Sequence, residues 1–142
     1  MKLSIPQKAY IAGIVDGEGS LTIHKQRTGG MGYVVKLDVG NTCKEVIDYL
    51  QELFPGTVGE YYKDPSIRRK THWIWRIHAR KIRELLPQIL PYMIIKRDLA
   101  KIFMRYLSIT KPGNHKSNRN KEREILIKEI KLRNKKNKPL GE

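Results

Sequence analysis

Ile11-Ala12-Gly13-Ile14-Val15-Asp16-Gly17-Glu18-Gly19 decides the reading of this chain. Upstream, Ser4 followed by Gln7 has the spacing of a capping box and Pro6 suits a first helical turn. The spacing therefore predicts a helix over 6–15. This stretch is apolar and rich in small residues, without the polar face of a surface helix, so a second backbone can approach closely at Ala12 and Gly13. Gly17 and Gly19 are read as its stop, and Glu18 places a carboxylate at the end of an otherwise apolar element.

Downstream, Leu21 and Ile23 alternate with Thr22, His24 and Gln26. The alternation resumes over 33–41, with Val35, Leu37 and Val39 on one side and Lys36, Asp38 and Gly40 on the other. Thr42 and Glu45 suggest a second capping box, opening a helix with Val46, Ile47, Leu50, Leu53 and Phe54 on its apolar side until Pro55-Gly56. A second hairpin has strands near 58–63 and 71–78, joined by a basic turn over 64–70. In its later strand Trp73, Trp75 and Ile77 point to the core, and His72, Ile74, Arg76 and His78 point outward.

A helical pattern over 79–90 contains Pro87, which should bend or split it. Another carries Leu99, Ile102, Phe103, Tyr106 and Leu107, and stops before Pro112-Gly113. A polar loop over 114–120 leads to a last helix over 121–133, whose apolar side is read as Ile125, Leu126, Ile130 and Leu132. Residues 134–142 read as disordered. The expected class is α+β in the order αββαββα plus a C-terminal helix. The expected divisions are a core over 1–110, a basic loop and helix over 111–134, and a basic tail over 135–142.

At 142 residues one core is expected. Lys and Arg number 29 against 14 Asp and Glu, a net charge of +15, and that excess points to a polyanionic partner. Residues 111–142 hold eleven Lys and Arg against four Glu, so their +7 leaves +8 for the remainder, and the charge is not confined to a tail. Cys43 is the sole cysteine, which excludes an internal disulfide, and His24, His72, His78 and His115 show no zinc-ligand spacing with it. No signal-peptide plan or stretch of membrane-span length is present, so a soluble intracellular protein is expected, in a prokaryotic cytoplasm or an organelle interior, with no membrane partner.

The motif over 11–19, followed by alternating strands in this order, resembles the signature of the LAGLIDADG homing endonucleases. Glu18 departs from the family's Asp by one methylene but keeps the carboxylate. The resemblance covers 4–107 and implies a saddle-shaped antiparallel sheet with helices on its convex side and double-stranded DNA on its concave side. One motif copy implies a homodimer, with Ile11, Ala12, Gly13, Val15 and Asp16 at the helix-to-helix interface.

A twofold axis along paired motif helices would set two copies of Glu18 side by side, where like charges require cations between them. Carboxylate oxygens favour Mg²⁺, with Mn²⁺ or Ca²⁺ as alternatives. By resemblance, the carbonyl of Gly17 also touches metal and Asp16 caps or orients its surroundings. The segment Leu90-Pro91-Tyr92-Met93-Ile94-Ile95-Lys96-Arg97 is similar to the family's second conserved stretch, which makes Lys96 a catalytic candidate. Asn41 aligns with a polar residue that orders water.

Sequence readout is expected from Thr22, His24, Gln26, Lys36, Asp38, Tyr61, Lys63, His72, Arg76 and His78. Phosphate contacts are expected from Lys25, Arg27, Arg68, Arg69 and Lys70. The implied function is a metal-dependent, site-specific endonuclease that makes double-strand cuts with 3′ overhangs in a long pseudo-palindromic site and promotes intron or intervening-sequence mobility. The alternatives on the same scaffold are a splicing maturase, with host intron RNA as partner, and a non-cleaving DNA-binding regulator.

Overall fold

The computed structural model describes residues 2–27, 32–61, 71–110 and 118–136. The chain runs α1 (Ile5–Glu18), β1 (Gly19–Lys25), β2 (Tyr33–Asn41), α2 (Lys44–Leu53), β3 (Thr57–Tyr61), β4 (His72–His78), α3 (Ala79–Ile89), a 3₁₀ turn (Leu90–Tyr92), α4 (Arg97–Ile109) and α5 (Asn118–Lys136). The class is α+β as expected, and the αββαββα order is followed by α4 and α5. The strands form one antiparallel sheet in the spatial order β1-β2-β4-β3.

The capping box forms as read: the Gln7 N–H donates to Ser4 Oγ, and the Ser4 N–H donates to Gln7 Oε1 at 2.9 Å. The helix nevertheless continues past Val15 to Glu18, because only one of the two glycines ends it. Gly17 is helical, and an added Cβ there would meet nothing within 4 Å. At Gly19 a Cβ would lie 2.6 Å from the Val15 carbonyl oxygen. The strand can leave the helix that closely only without a side chain.

Alternation along the strands separates two faces. Leu21, Ile23, Val35, Leu37, Val39, Trp75 and Ile77 are buried. They share one core with Ile11, Ala12 and Val15 of α1, Ile47 and Leu50 of α2, Ile82, Leu85, Leu86 and Ile89 of α3, and Phe103 of α4. Trp75, the largest fully buried side chain, satisfies its indole by donating from Nε1 to the Phe54 carbonyl at 3.1 Å. All the core helices thus pack on one side, and the other side of the sheet stays open.

Several local expectations are corrected. The Thr42–Glu45 capping box does not form; Asn41 Oδ1 instead accepts the Cys43 N–H at 2.8 Å, an Asx turn that starts α2 at Lys44. Pro87 does not split α3, which continues to Ile89 before tightening into the 3₁₀ turn. In α5 the buried side is Ile127 and Ile130, while Ile125 and Leu132 are 64% and 60% exposed. Leu126 is partly buried against the core.

The helix α5 also extends to Lys136, so residues 134–136 are not part of a disordered tail. Asn134 Nδ2 donates to the Leu21 carbonyl at 2.9 Å, which attaches the end of α5 to the edge strand β1. Residues 28–31 of the expected loop tip, residues 62–63 of the expected third strand, the whole basic turn over 64–70, residues 114–117 of the expected polar loop and residues 137–142 of the expected tail lie outside the described residues.

Candidate active site and nucleic-acid face

At the end of α1, Asp16 is only 8% exposed. Its carboxylate accepts three backbone N–H groups from the turn that opens α4: Ile94 at 2.6 Å and Ile95 at 3.2 Å on Oδ2, and Lys96 at 3.0 Å on Oδ1. Burial pushes this carboxyl up, but the three hydrogen bonds and the Lys96 charge outweigh it and hold the pKa below its ordinary value. Asp16 therefore fastens the turn before α4 to the end of α1.

That fastening places Lys96. Its N–H is tied to Asp16, and its side chain folds back so that Nζ donates to the Asp16 carbonyl at 2.5 Å. A cation there lies against the electronegative end of α1. Burial lowers the Lys96 pKa below the ordinary lysine value, opposed by the charges of Asp16 and Glu18. The charge of Glu18 is thus felt at Lys96 although 78 residues of sequence separate them.

Glu18 and Gly17 are exposed at the same end of α1. Asn41 ends β2 two residues beyond Val39, the partner of Gly19, and so lies at this end of the sheet with its carboxamide oxygen engaged by Cys43. Among the described residues no group of three or more His, Cys, Asp and Glu is gathered within the single chain.

The interface expectation for α1 needs correction. Ile11, Ala12 and Val15 are buried in the protomer's own core and Asp16 against the backbone of 94–96, so they are not available to a partner. Gly13 is exposed, as are Ala9 and Gly17 four residues either side of it. The small residues presented outward are therefore Ala9, Gly13 and Gly17, one helical row away from Ala12.

The open sheet face carries the expected polar side chains. Its cross-strand rows are Ser20–Asp38–Arg76–Thr57, Thr22–Lys36–His78, and His24–Val34. Ser20, Val34 and Thr57 join this face although the sequence reading did not name them; the same period-two phase reaches them. Arg76 and Asp38 form a two-pronged pair, Nε to Oδ1 and Nη2 to Oδ2, both 2.7 Å. Lys36 Nζ stands 3.7 Å from Asp38 Oδ2.

The hydrogen bonds to Asp38 raise the Arg76 pKa against burial, aided by the carboxylate charge and the Tyr61 hydroxyl. Tyr61 reaches Arg76 over Gly59, where a Cβ would meet the tyrosine ring at 3.2 Å. His72 lies over Gly40 in the same way. His24, Lys25, Gln26 and Arg27 are exposed at the end of β1. Lys63, Arg68, Arg69 and Lys70 lie outside the described residues.

A layered α1-β1-β2-α2-β3-β4-α3 unit with its motif carboxylate at the end of α1 and one open polar sheet face has close structural counterparts. The homing endonuclease I-CvuI, in complex with its target in the presence of Ca, superposes with a TM-score of 0.70 over 89% of this chain and 81% of that chain, at 19% identity. The archaeal intron-encoded homing endonuclease I-Vdi141I, complexed with DNA, gives 0.69 over 88% and 82%, at 21% identity. The fold is that of the LAGLIDADG homing endonucleases.

The LAGLIDADG homing endonuclease I-SmaMI, bound to cleaved DNA, matches with a TM-score of 0.62 over 89% of this chain but only 44% of its own, at 19% identity. No protein-family model matches the chain, and no curated protein matches it. Within the LAGLIDADG fold, the expected architecture therefore stands.

Proposed function

We propose that this chain is a site-specific DNA endonuclease that works as a homodimer, making double-strand cuts with 3′ overhangs in a long pseudo-palindromic site and thereby promoting the mobility of an intron or intervening sequence. The observation that carries this reading is that Asp16 fastens Lys96 to the end of α1, where Glu18 is exposed, beside the open face of a LAGLIDADG sheet. A non-cleaving regulator has no need of a carboxylate and an anchored ammonium at one helix end.

The donor set suits a hard divalent cation such as Mg²⁺, Mn²⁺ or Ca²⁺: the exposed Glu18 carboxylate, with the Gly17 carbonyl as second oxygen donor. One protomer contributes a single motif carboxylate, so a second copy across a twofold axis completes the site. A bound divalent cation would activate water and neutralise charge on the phosphodiester. Lys96, anchored through Asp16, presents a fixed ammonium to the scissile phosphate and adds to that neutralisation. Asn41 stands at the same end of the sheet to order water.

The homodimer is supported by the exposed row Ala9, Gly13 and Gly17, which lets two α1 helices approach closely. I-CvuI, of which this unit covers 81%, and I-SmaMI, of which it covers 44%, bracket one-unit and longer chains on the same fold. Double-stranded DNA is the partner that the net charge of +15 and the DNA-bound neighbours favour.

The test pairs DNA retention with plasmid cleavage in Mg²⁺. Glu18→Gln should abolish cutting while binding persists, because charge is lost with little change of volume. Lys96→Ala should slow single-turnover cleavage by about 10²-fold or more with a smaller loss of affinity. Robust cutting by the Gln variant removes Glu18 from the reaction.

A further inference from the structure

The Arg76–Asp38 pair lies at the middle of the open face, on the two central strands of the sheet. Arginine has five N–H donors and no acceptor. Asp38 takes the Nε–H and one Nη2–H, both at 2.7 Å. The Tyr61 hydroxyl lies against the same guanidinium. Three donors remain, two of them at the outer end of a guanidinium whose rotation is fixed from the side.

We propose that Arg76 reads a guanine in the major groove, once in each half-site, and that Asp38 is its positioning residue rather than a base contact. This inference rests on the DNA-binding reading above. Guanine is the base whose major-groove edge offers two adjacent acceptors, O6 and N7; adenine and thymine place a donor or a methyl group beside their single acceptor. A donor-only fork held rigid by a carboxylate matches that edge and no other.

A phosphate contact fits Arg76 less well. Its side chain is 30% exposed and rises from the centre of a row spanning all four strands, Ser20–Asp38–Arg76–Thr57, whereas backbone contacts suit the rims and loop tips. The pairing also explains an acid on a face meant for DNA. An unpaired Asp38 would repel phosphates, but both of its oxygens are engaged by Arg76, with the Lys36 ammonium 3.7 Å away. Its own reading of cytosine would require breaking that pair.

The experiment selects bound sequences from a randomised duplex library with the full chain, in the absence of added Mg²⁺. Wild type should enrich guanine at one position of each half-site. Arg76→Ala should cut that preference by about tenfold to a hundredfold and leave the other positions unchanged. Arg76→Lys, which keeps the charge and the fold but not the fork, should lose the same guanine with total affinity within a few-fold. Asp38→Ala should weaken preference at that same base pair alone, an effect that a merely structural role would not confine to one position.

Three results overturn the inference. A uniform loss of affinity in the Arg76 variants, with base preferences intact, would make Arg76 a phosphate contact. A change at a different base pair in Asp38→Ala would make Asp38 a reader in its own right. A wild-type chain that binds duplex DNA without selecting any sequence would remove both this inference and the site-specific function, which separates that failure from the first two.

Discussion

Asp16 shows how one buried charge can serve a site it does not enter. Its carboxylate gathers the N–H groups of Ile94, Ile95 and Lys96, and its carbonyl holds the Lys96 ammonium, so the position of a cation near Glu18 depends on a neighbour. Because the folded pKa of Asp16 is depressed, its contribution to stability is present above the ordinary carboxylate range and is lost as pH falls through the folded value. Asp16→Asn should lower stability near neutral pH by about 1–3 kcal/mol, the scale of hydrogen bonds to a charged group. Urea melts of both proteins across a pH series check this. The gap between them should narrow in acid, and a gap independent of pH would assign the loss to packing.

At the scale of the element, α1 must satisfy two environments. One side supplies Ile11, Ala12 and Val15 to the protomer's core; the other exposes Ala9, Gly13 and Gly17. Since a Cβ at Gly13 meets nothing within 4 Å in the single chain, Gly13→Leu should leave the protomer's thermal stability unchanged or raise it, as leucine favours helix by about 0.8 kcal/mol over glycine. The same change should weaken assembly by about 1–3 kcal/mol per crowded contact. Sedimentation velocity and thermal melts separate the two effects. A variant that still assembles as wild type does would place the partner's contact elsewhere.

Over the whole molecule, a net charge of +15 makes attraction to DNA long-ranged and salt-sensitive. If the proposed dimer neutralises roughly 6–10 phosphates, affinity should fall about 10³–10⁵-fold between roughly 50 and 200 mM salt. Base preference should change far less, since it resides in contacts to base edges rather than phosphates. Gel retention of one preferred and one scrambled duplex over a salt series measures both. A preference ratio that collapsed in step with affinity would place selectivity in the electrostatic field rather than in the open sheet face. No described helix is long and apolar enough to cross a membrane.

The order of elements, the division of the strands into two faces and the N-cap at Ser4 were legible in the sequence, because each depends on local spacing: period two for Leu21, Ile23 and Val35, and a three-residue interval for Ser4 and Gln7. Glu18 was marked by the resemblance of its motif, and its role is the one proposed above. Tertiary structure decided the rest. Which row of α1 faces inward was ambiguous in a helix apolar or small on every side, and only packing against the sheet buried Ala12 and left Gly13 outside. The phase of α5 likewise followed from its seat on α4 and β1, which chose Ile127 and Ile130 over Ile125 and Leu132. The links from Asp16 to Lys96 and from Asp38 to Arg76 join residues 80 and 38 positions apart, distances over which no periodicity speaks and only the folded chain brings donor to acceptor.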